Sequence, residues 1–377
     1  MTYQCSIHLH NELWSVLEYC YNNNYLMEAS RFMPLILGLI IFSFLVTSIL
    51  VVPFINLLYK YKLTRRKEAP KNGKVPLFDK LHDKKAGTPV GGGVLLIAIV
   101  TILFAILFPI SSRIGVFIQI AYKLREELFI IFFTFISFGV LGSIDDLIKT
   151  FGRPVRGVLG LAFGMTRRQK FVIQWILGFV IGYLIYKNLG VQILYIPLFG
   201  NLLNLGFWYV PFAAFVIVSF TNAFNITDGL DGLSCGLLMI CLIAFIVISA
   251  GMLDTPLSMF IALWLGALIA YLYFNVWPAR LFLGDGGALA FGAMLAVIGL
   301  LTGKIIAVVV IGGIFVIEIA SSAIQIIGRK LFKRGIFPLA PIHHTFLAIG
   351  WEEPKIVMRA WLAGVIFAIF GLWLTTI

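Results

Sequence analysis

Five short polar stretches interrupt an otherwise apolar chain, and their residue types suit phosphate and metal chemistry. In the densest, Asn222, Asn225, Asp228 and Asp231 recur at every third position, and Gly229 and Gly232 each follow an aspartate. Carboxylate and amide oxygens are what a hard divalent cation selects. The glycines permit turns that a regular helix does not. A second stretch pairs Asp145 with Asp146 at the end of an apolar run, four residues before Lys149. Adjacent carboxylates repel unless a cation neutralises them. Lys149 shares a face with Asp145 if the helix continues. In a third, Asn275 precedes Phe282 and a lone Asp285 framed by Gly284, Gly286 and Gly287. That aspartate can meet a ligand closely, and Phe282 can stack on a base or simply fill core. The fourth places His343 and His344 after Pro341, near Arg329, Lys330, Lys333 and Arg334, which suits an anion. The fifth runs from Lys84 and Lys85 through Thr88 and Pro89 to Gly91, Gly92 and Gly93. It lacks the Gly-Lys-Ser/Thr of a P-loop, and its glycines could serve close helix packing.

The elements that must carry these residues are membrane spans. The chain has 377 residues, of which 60% are hydrophobic and 12% charged. Soluble domains carry about 25% charged residues, so a soluble enzyme is excluded. Ten apolar runs, near 34–59, 88–110, 127–144, 171–188, 207–223, 232–251, 256–276, 286–302, 304–328 and 356–376, are long enough to be spanning helices. They lack the alternation of barrel strands. The expected fold is therefore an all-α polytopic membrane protein, with residues 1–33 as a polar N-terminal tail and 34–377 as one membrane domain. Cys5 and Cys20 lie in that tail and could pair; Cys235 and Cys241 read as small core hydrophobes.

The net charge is +12. Residues 60–87, 145–170 and 329–359, with Arg280, hold 23 of the 29 Lys and Arg. Alternate loops thus differ in basic charge, which places the richer side in the cytoplasm and both termini outside. The basicity belongs to membrane loops, and no nucleic-acid partner is expected. One carboxylate, Glu318, lies deep in a span, as a functional group or as a hydrogen-bond partner between helices. A transporter would collect its ionisable groups near the midplane. Here they gather at the cytoplasmic boundary, which favours a metal-dependent phosphotransferase acting on a membrane lipid.

The ordered motifs add a resemblance. Gly87-Thr88-Pro89, Asp145-Asp146 with Lys149, Asn222 to Gly232, Pro278 to Leu289 and Pro341 to Trp361 resemble the polyprenyl-phosphate N-acetylhexosamine-1-phosphate transferases, glycosyltransferase family 4. Pro341-Ile342-His343-His344 followed by Gly350-Trp351-Glu352-Glu353 is similar to the branch using UDP-MurNAc-pentapeptide. The resemblance implies ten helices, Mg²⁺, a homodimer in the inner (plasma) membrane, and UDP-MurNAc-pentapeptide and undecaprenyl phosphate as substrates. It implies Asp145, Asp146, Asp285 and His343 as catalytic, with Asp285 and Asn225 as Mg²⁺ ligands. It implies Lys85, Asp231, Asn275 and Phe282 at a uridine pocket. Lys149 and Lys170 would neutralise phosphates, and Thr88, Asn222, Asp228 and His344 would complete the substrate contacts. The chain departs from the family in His343-His344-Thr345-Phe346-Leu347, where a third histidine and a glutamate are usual.

Overall fold

The computed structural model describes residues 32–65, 85–113, 118–151, 165–197, 200–252 and 254–377. The tail with its two cysteines, and most of the first basic loop, lie outside the described residues.

Apolar runs flanked by turn residues become helices, because lipid leaves no other partner for the backbone. They are α1 (Phe32–Lys60), α2 (Gly92–Arg113), α3 (Leu124–Phe151), α4 (Arg167–Leu189), α5 (Tyr209–Thr227), α6 (Leu233–Gly251), α7 (Thr255–Asn275) and α8 (Gly284–Leu301). After them come α9 (Ile305–Ile311), α10 (Gly313–Phe332), the short α11 (Ile342–Ala348) and α12 (Glu353–Thr376). Among the described residues nine helices are long and apolar enough to cross a membrane singly, and α9 with α10, bent at their junction, makes ten if the pair is one span. The chain is an all-α polytopic membrane protein.

Two features differ from the sequence reading. The span expected at 304–328 breaks at Gly312 and Gly313, where α9 and α10 meet at 78°. A glycine pair is a common place for such a kink, and both glycines pack against rings, Phe220 and Phe367. A small antiparallel hairpin, β1 (Ile193–Ile196) with β2 (Asn201–Asn204), was also not expected. It turns near Gly200, whose φ is +61°.

The centre of the bundle is α7 and α8, enclosed on nearly all sides. Trp264, Phe135 and Phe291 form an aromatic knot there, with centroids 5.0–5.8 Å apart. Helices α1, α4 and α12 turn many Ile, Leu and Phe side chains outward. Lipid chains are as apolar as these side chains, so packing of small residues has to hold the interior helices together. A Cβ on Gly142 would overlap the Asp285 carbonyl, and one on Gly93 would overlap Gly287. The glycine triplet serves this packing. The amides of Gly91 and Gly92 also donate to the Phe282 carbonyl, at 3.1 and 2.9 Å.

Candidate functional site

The C-terminal ends of α3, α5, α7 and α10 meet the N-terminal ends of α4, α6, α8 and α12 at one end of the bundle. Nearly every polar residue singled out in the sequence lies there, in three linked groups.

The first group forms where α3 crosses α8. Helix α3 runs past its expected end at 144 to Phe151, so Asp145, Asp146 and Lys149 are helical. Lys149 Nζ reaches Asp145 Oδ2 and Asp285 Oδ2, both at 2.9 Å. Lys170, in the first turn of α4, reaches Asp145 Oδ2 at 3.0 Å and also bonds Asp285 Oδ2. The Met165 amide donates to Asp145 Oδ1 at 2.7 Å, which ties the start of α4 to α3. Thr166 and Gln169 close a capping box that fixes that start. Asp146 Oδ2 accepts from the Gly286 amide at 3.0 Å. Gly284, with φ +79°, has to be glycine twice over: its backbone is left-handed, and a Cβ would lie 2.5 Å from Asp146 Oδ2. Asp145 and Asp285 share the two ammoniums, and Asp146 adds a third carboxyl held by the Gly286 amide.

The second group joins loop, α6, α8 and α12. Lys85 Nζ bonds Asp231 Oδ1 at 2.6 Å and Glu353 Oε1 at 2.5 Å. Asp231 Oδ2 accepts from the Ala279 amide at 2.9 Å, and Glu353 Oε1 from the Asp231 amide at 2.6 Å. Asn275 accepts from the Gly232 amide at 3.2 Å and donates to the Leu281 carbonyl at 3.0 Å. The Trp277 ring lies 5.5 Å from Lys85 Nζ. Phe282 is half-buried and not core: its backbone pairs with Val90, and the Arg65 guanidinium lies 5.8 Å over its ring. Thr88 is half-buried beside it, its carbonyl accepting from the Arg65 amide at 2.9 Å.

The third group centres on α11. His343 Nδ1 lies 2.9 Å from Glu318 Oε2 on α10, both buried. The His344 ring lies beside it, tilted by 58°, with centroids 4.1 Å apart. Thr345, at the place of a third histidine, donates its hydroxyl to the Leu339 carbonyl and closes the loop.

The threefold spacing of Asn222, Asn225, Asp228 and Asp231 does not gather them on one point. Helix α5 ends at Thr227, and positions three apart on a helix drift around its axis. Asn222 faces away, donating to Gln174 Oε1 of α4 at 2.7 Å. Asn225 is half-buried one turn before Asp228. Asp228 accepts from the Ser234 hydroxyl. Burial pushes the Asp228 carboxyl up to about 6; the Ser234 hydrogen bond opposes this, and the charges of Asp285 and Asp231 add to it. Asp228 therefore feels both the first and second groups. His343 is held by Glu318 and not by the three aspartates of the first group.

Sequence reasoning gave no site role to Glu353, Trp277 or Arg65. An acid in the first turn of α12 reads as a dipole partner, and only the fold brings it to Lys85.

The first group offers carboxylate oxygens as its only metal donors, which is the chemistry a hard divalent cation prefers. Lys149 and Lys170 already occupy Oδ2 of both Asp145 and Asp285. Among the described residues, no three His, Cys, Asp or Glu side chains are gathered to hold a metal unaided. A divalent ion would compete with the ammoniums for these oxygens.

The family profile described as glycosyl transferase family 4 matches residues 128–303, which include the first two groups' aspartates. A phospho-N-acetylmuramoyl-pentapeptide-transferase of Geobacillus sp. (strain WCH70) is 36% identical over 89% of this chain and 96% of the relative. One from Clostridium perfringens (strain SM101 / Type A) is 36% identical over 86% and 92%. One from Halalkalibacterium halodurans is 34% identical over 89% and 96%.

Proposed function

Because the chain belongs to the phospho-N-acetylmuramoyl-pentapeptide-transferase family, we propose that it transfers phospho-MurNAc-pentapeptide from UDP-MurNAc-pentapeptide to undecaprenyl phosphate. The products are UMP and undecaprenyl-pyrophosphoryl-MurNAc-pentapeptide (lipid I), a precursor of peptidoglycan. The observation that carries this is the convergence of Asp145, Asp146 and Asp285 with Lys149 and Lys170 at one end of the bundle.

An oxygen of the lipid phosphate attacks the β-phosphorus of the UDP-sugar. A new P–O–P bridge forms, and the bond from the β-phosphorus to the bridging oxygen breaks, its electron pair leaving on UMP. A phosphate monoester has a second pKa near 6 and is mostly dianionic at neutral pH. The nucleophile therefore has no proton to lose, and Asp145 and Asp146 act by orienting the lysines and the incoming phosphate. Lys149 and Lys170 gather phosphate charge, which is most of what phosphoryl transfer asks of a protein. Asp285, with Asn225, is the proposed holder of Mg²⁺, which when bound would polarise the pyrophosphate and stabilise the leaving UMP. Lys85, Asp231, Asn275 and Phe282 form the nucleoside side of the site, with Phe282 offering a ring face to uracil. His343, His344, Thr88 and Asp228 are assigned to the remaining substrate contacts, and Asn222, turned to Gln174, is left as a helix-to-helix bond.

The basic loops support a cytoplasmic site and, with an even number of spans, two outer termini. The family resemblance supports a homodimer in the inner (plasma) membrane. The experiment is radiolabel transfer from UDP-MurNAc-pentapeptide to undecaprenyl phosphate in detergent, beside UDP-GlcNAc, with and without Mg²⁺. Transfer only from the muramoyl donor, and only with Mg²⁺, is expected. Transfer from UDP-GlcNAc instead, or ion flux in liposomes without transfer, would overturn the reading.

A further inference from the structure

Glu318 is 3% exposed in the interior of α10, and its carboxylate meets His343 Nδ1 at 2.9 Å. A charge at such depth is kept only with a specific partner. The same face of α10 shapes the whole loop that delivers the histidine. Ser321 Oγ accepts from the Ile342 amide at 3.1 Å. Gln325 Oε1 accepts from the Ile336 and Phe337 amides, both at 2.9 Å. Glu318, Ser321 and Gln325 stand at i, i+3 and i+7, one side of a helix. Ser321 and Gln325 bond the loop's backbone, and Glu318 grips a side chain.

The other ring nitrogen carries the inference. His343 is 1% exposed, and its Nε2 has no hydrogen-bond partner among the described residues. It faces the acidic loop: a Cβ on Gly229 would lie 2.6 Å from it. Gly229 adjoins Asp228, which feels the charge of Asp285. A buried ring nitrogen without a partner is costly, and its direction is toward the site.

We infer that Glu318 is a positioning residue acting through His343. By accepting the Nδ1–H it fixes the tautomer and ring direction. Nε2 is left as a lone-pair acceptor aimed across Gly229 at a hydroxyl or amide N–H of the sugar substrate. The carboxylate–imidazole logic is that of any oriented histidine, where the hydrogen bond at one nitrogen sets the state of the other. The substrate half of this inference rests on the proposed transferase reading; the tautomer half does not.

The test has two readouts. Histidine-selective ¹⁵N NMR of the full chain in nanodiscs has only 5 histidines to assign. His343 is expected as the Nδ1–H tautomer, changing to Nε2–H in Glu318→Leu. In transfer assays Glu318→Leu should lower kcat by roughly 10- to 100-fold, with KM for the UDP-sugar changed far less. Glu318→Gln, which still accepts from Nδ1, should recover most of the loss. In a His343→Asn background, Glu318→Leu should add nothing. An Nε2–H tautomer in the unaltered chain, or effects of Glu318→Leu and His343→Asn that multiply, would overturn the inference. If Glu318→Leu does not fold, the tautomer of the unaltered chain and the Glu318→Gln kinetics still decide it. The expected tautomer in a chain that transfers no muramoyl group would reject the transferase reading and keep the positioning role.

Discussion

Both ends of the helix bundle bury carboxylates, but only one end, among the described residues, provides cations for them. At the site end, Asp145, Asp285, Asp231 and Glu353 each meet a lysine ammonium within 3.0 Å. At the far end, Glu127 is fully buried. Neither of its oxygens has a hydrogen-bond partner among the described residues, and the charged group beside it is another acid, Asp254. Asp254 also caps α7 by accepting from the Leu257 amide at 3.2 Å. Burial raises the Asp254 carboxyl above the ordinary aspartate value. Two neighbouring buried acids with no cation relieve their repulsion by retaining a proton. The far end thus leaves protonation as the means of relieving its acids. The site end neutralises them with lysines, which an incoming phosphate or metal can draw away.

The sharpest break of this comparison is Asp285→Asn. Transfer should fall on the order of 10²–10³-fold while the melting temperature in detergent changes little; near-normal turnover would remove Asp285 from the chemistry. Gly142→Ala comes next, because a Cβ there overlaps the Asp285 carbonyl and pushes α3 off α8. Turnover and thermal stability should both drop, and a variant that loses neither would show that the crossing is not what sets the site. Phe282→Ala should weaken uridine-nucleotide binding by about 10-fold, from a stacking contribution of roughly 1–3 kcal/mol; calorimetry showing unchanged affinity would leave the ring to Arg65 alone.

The smallest effect belongs to the far end. Glu127→Gln should keep turnover within about twofold, since a substitution remote from the chemistry acts on stability and not on the reacting groups. Its pH signature is more telling. Asp254 is raised in the fold, so between the ordinary aspartate value and that raised value the folded chain holds a proton the unfolded chain releases. Stability therefore falls as pH rises through that window. The amide introduced by Glu127→Gln would donate an N–H to ionised Asp254 and flatten the fall. A melting profile against pH identical to the unaltered chain would contradict the retained proton.

Much of this was readable in the chain because its physics is local. Ten spans follow from hydropathy, since a bilayer admits few alternatives. Lys149 beside Asp145 follows from four-residue spacing. The glycines around Asp285 announce close approach. The bend at Gly312 and Gly313 was not readable, because a continuous apolar run is equally compatible with a straight helix until Phe220 and Phe367 claim space against the two glycines. The threefold spacing from Asn222 to Asp231 suggests one cluster. The helix end at Thr227 divides it, sending Asn222 to Gln174 and Asp231 to Lys85.

The amino-acid order sets the class of molecule and the kinds of group at its disposal: spanning helices, acids and amides at one set of their ends, and lysines to face them. The pairings between different elements come from the folded arrangement alone. Lys85 with Glu353, and Glu318 with His343, join residues 268 and 25 positions apart. Such contacts depend on how helices cross, and crossing is set by which small residues meet, a property of two surfaces that neither segment encodes alone.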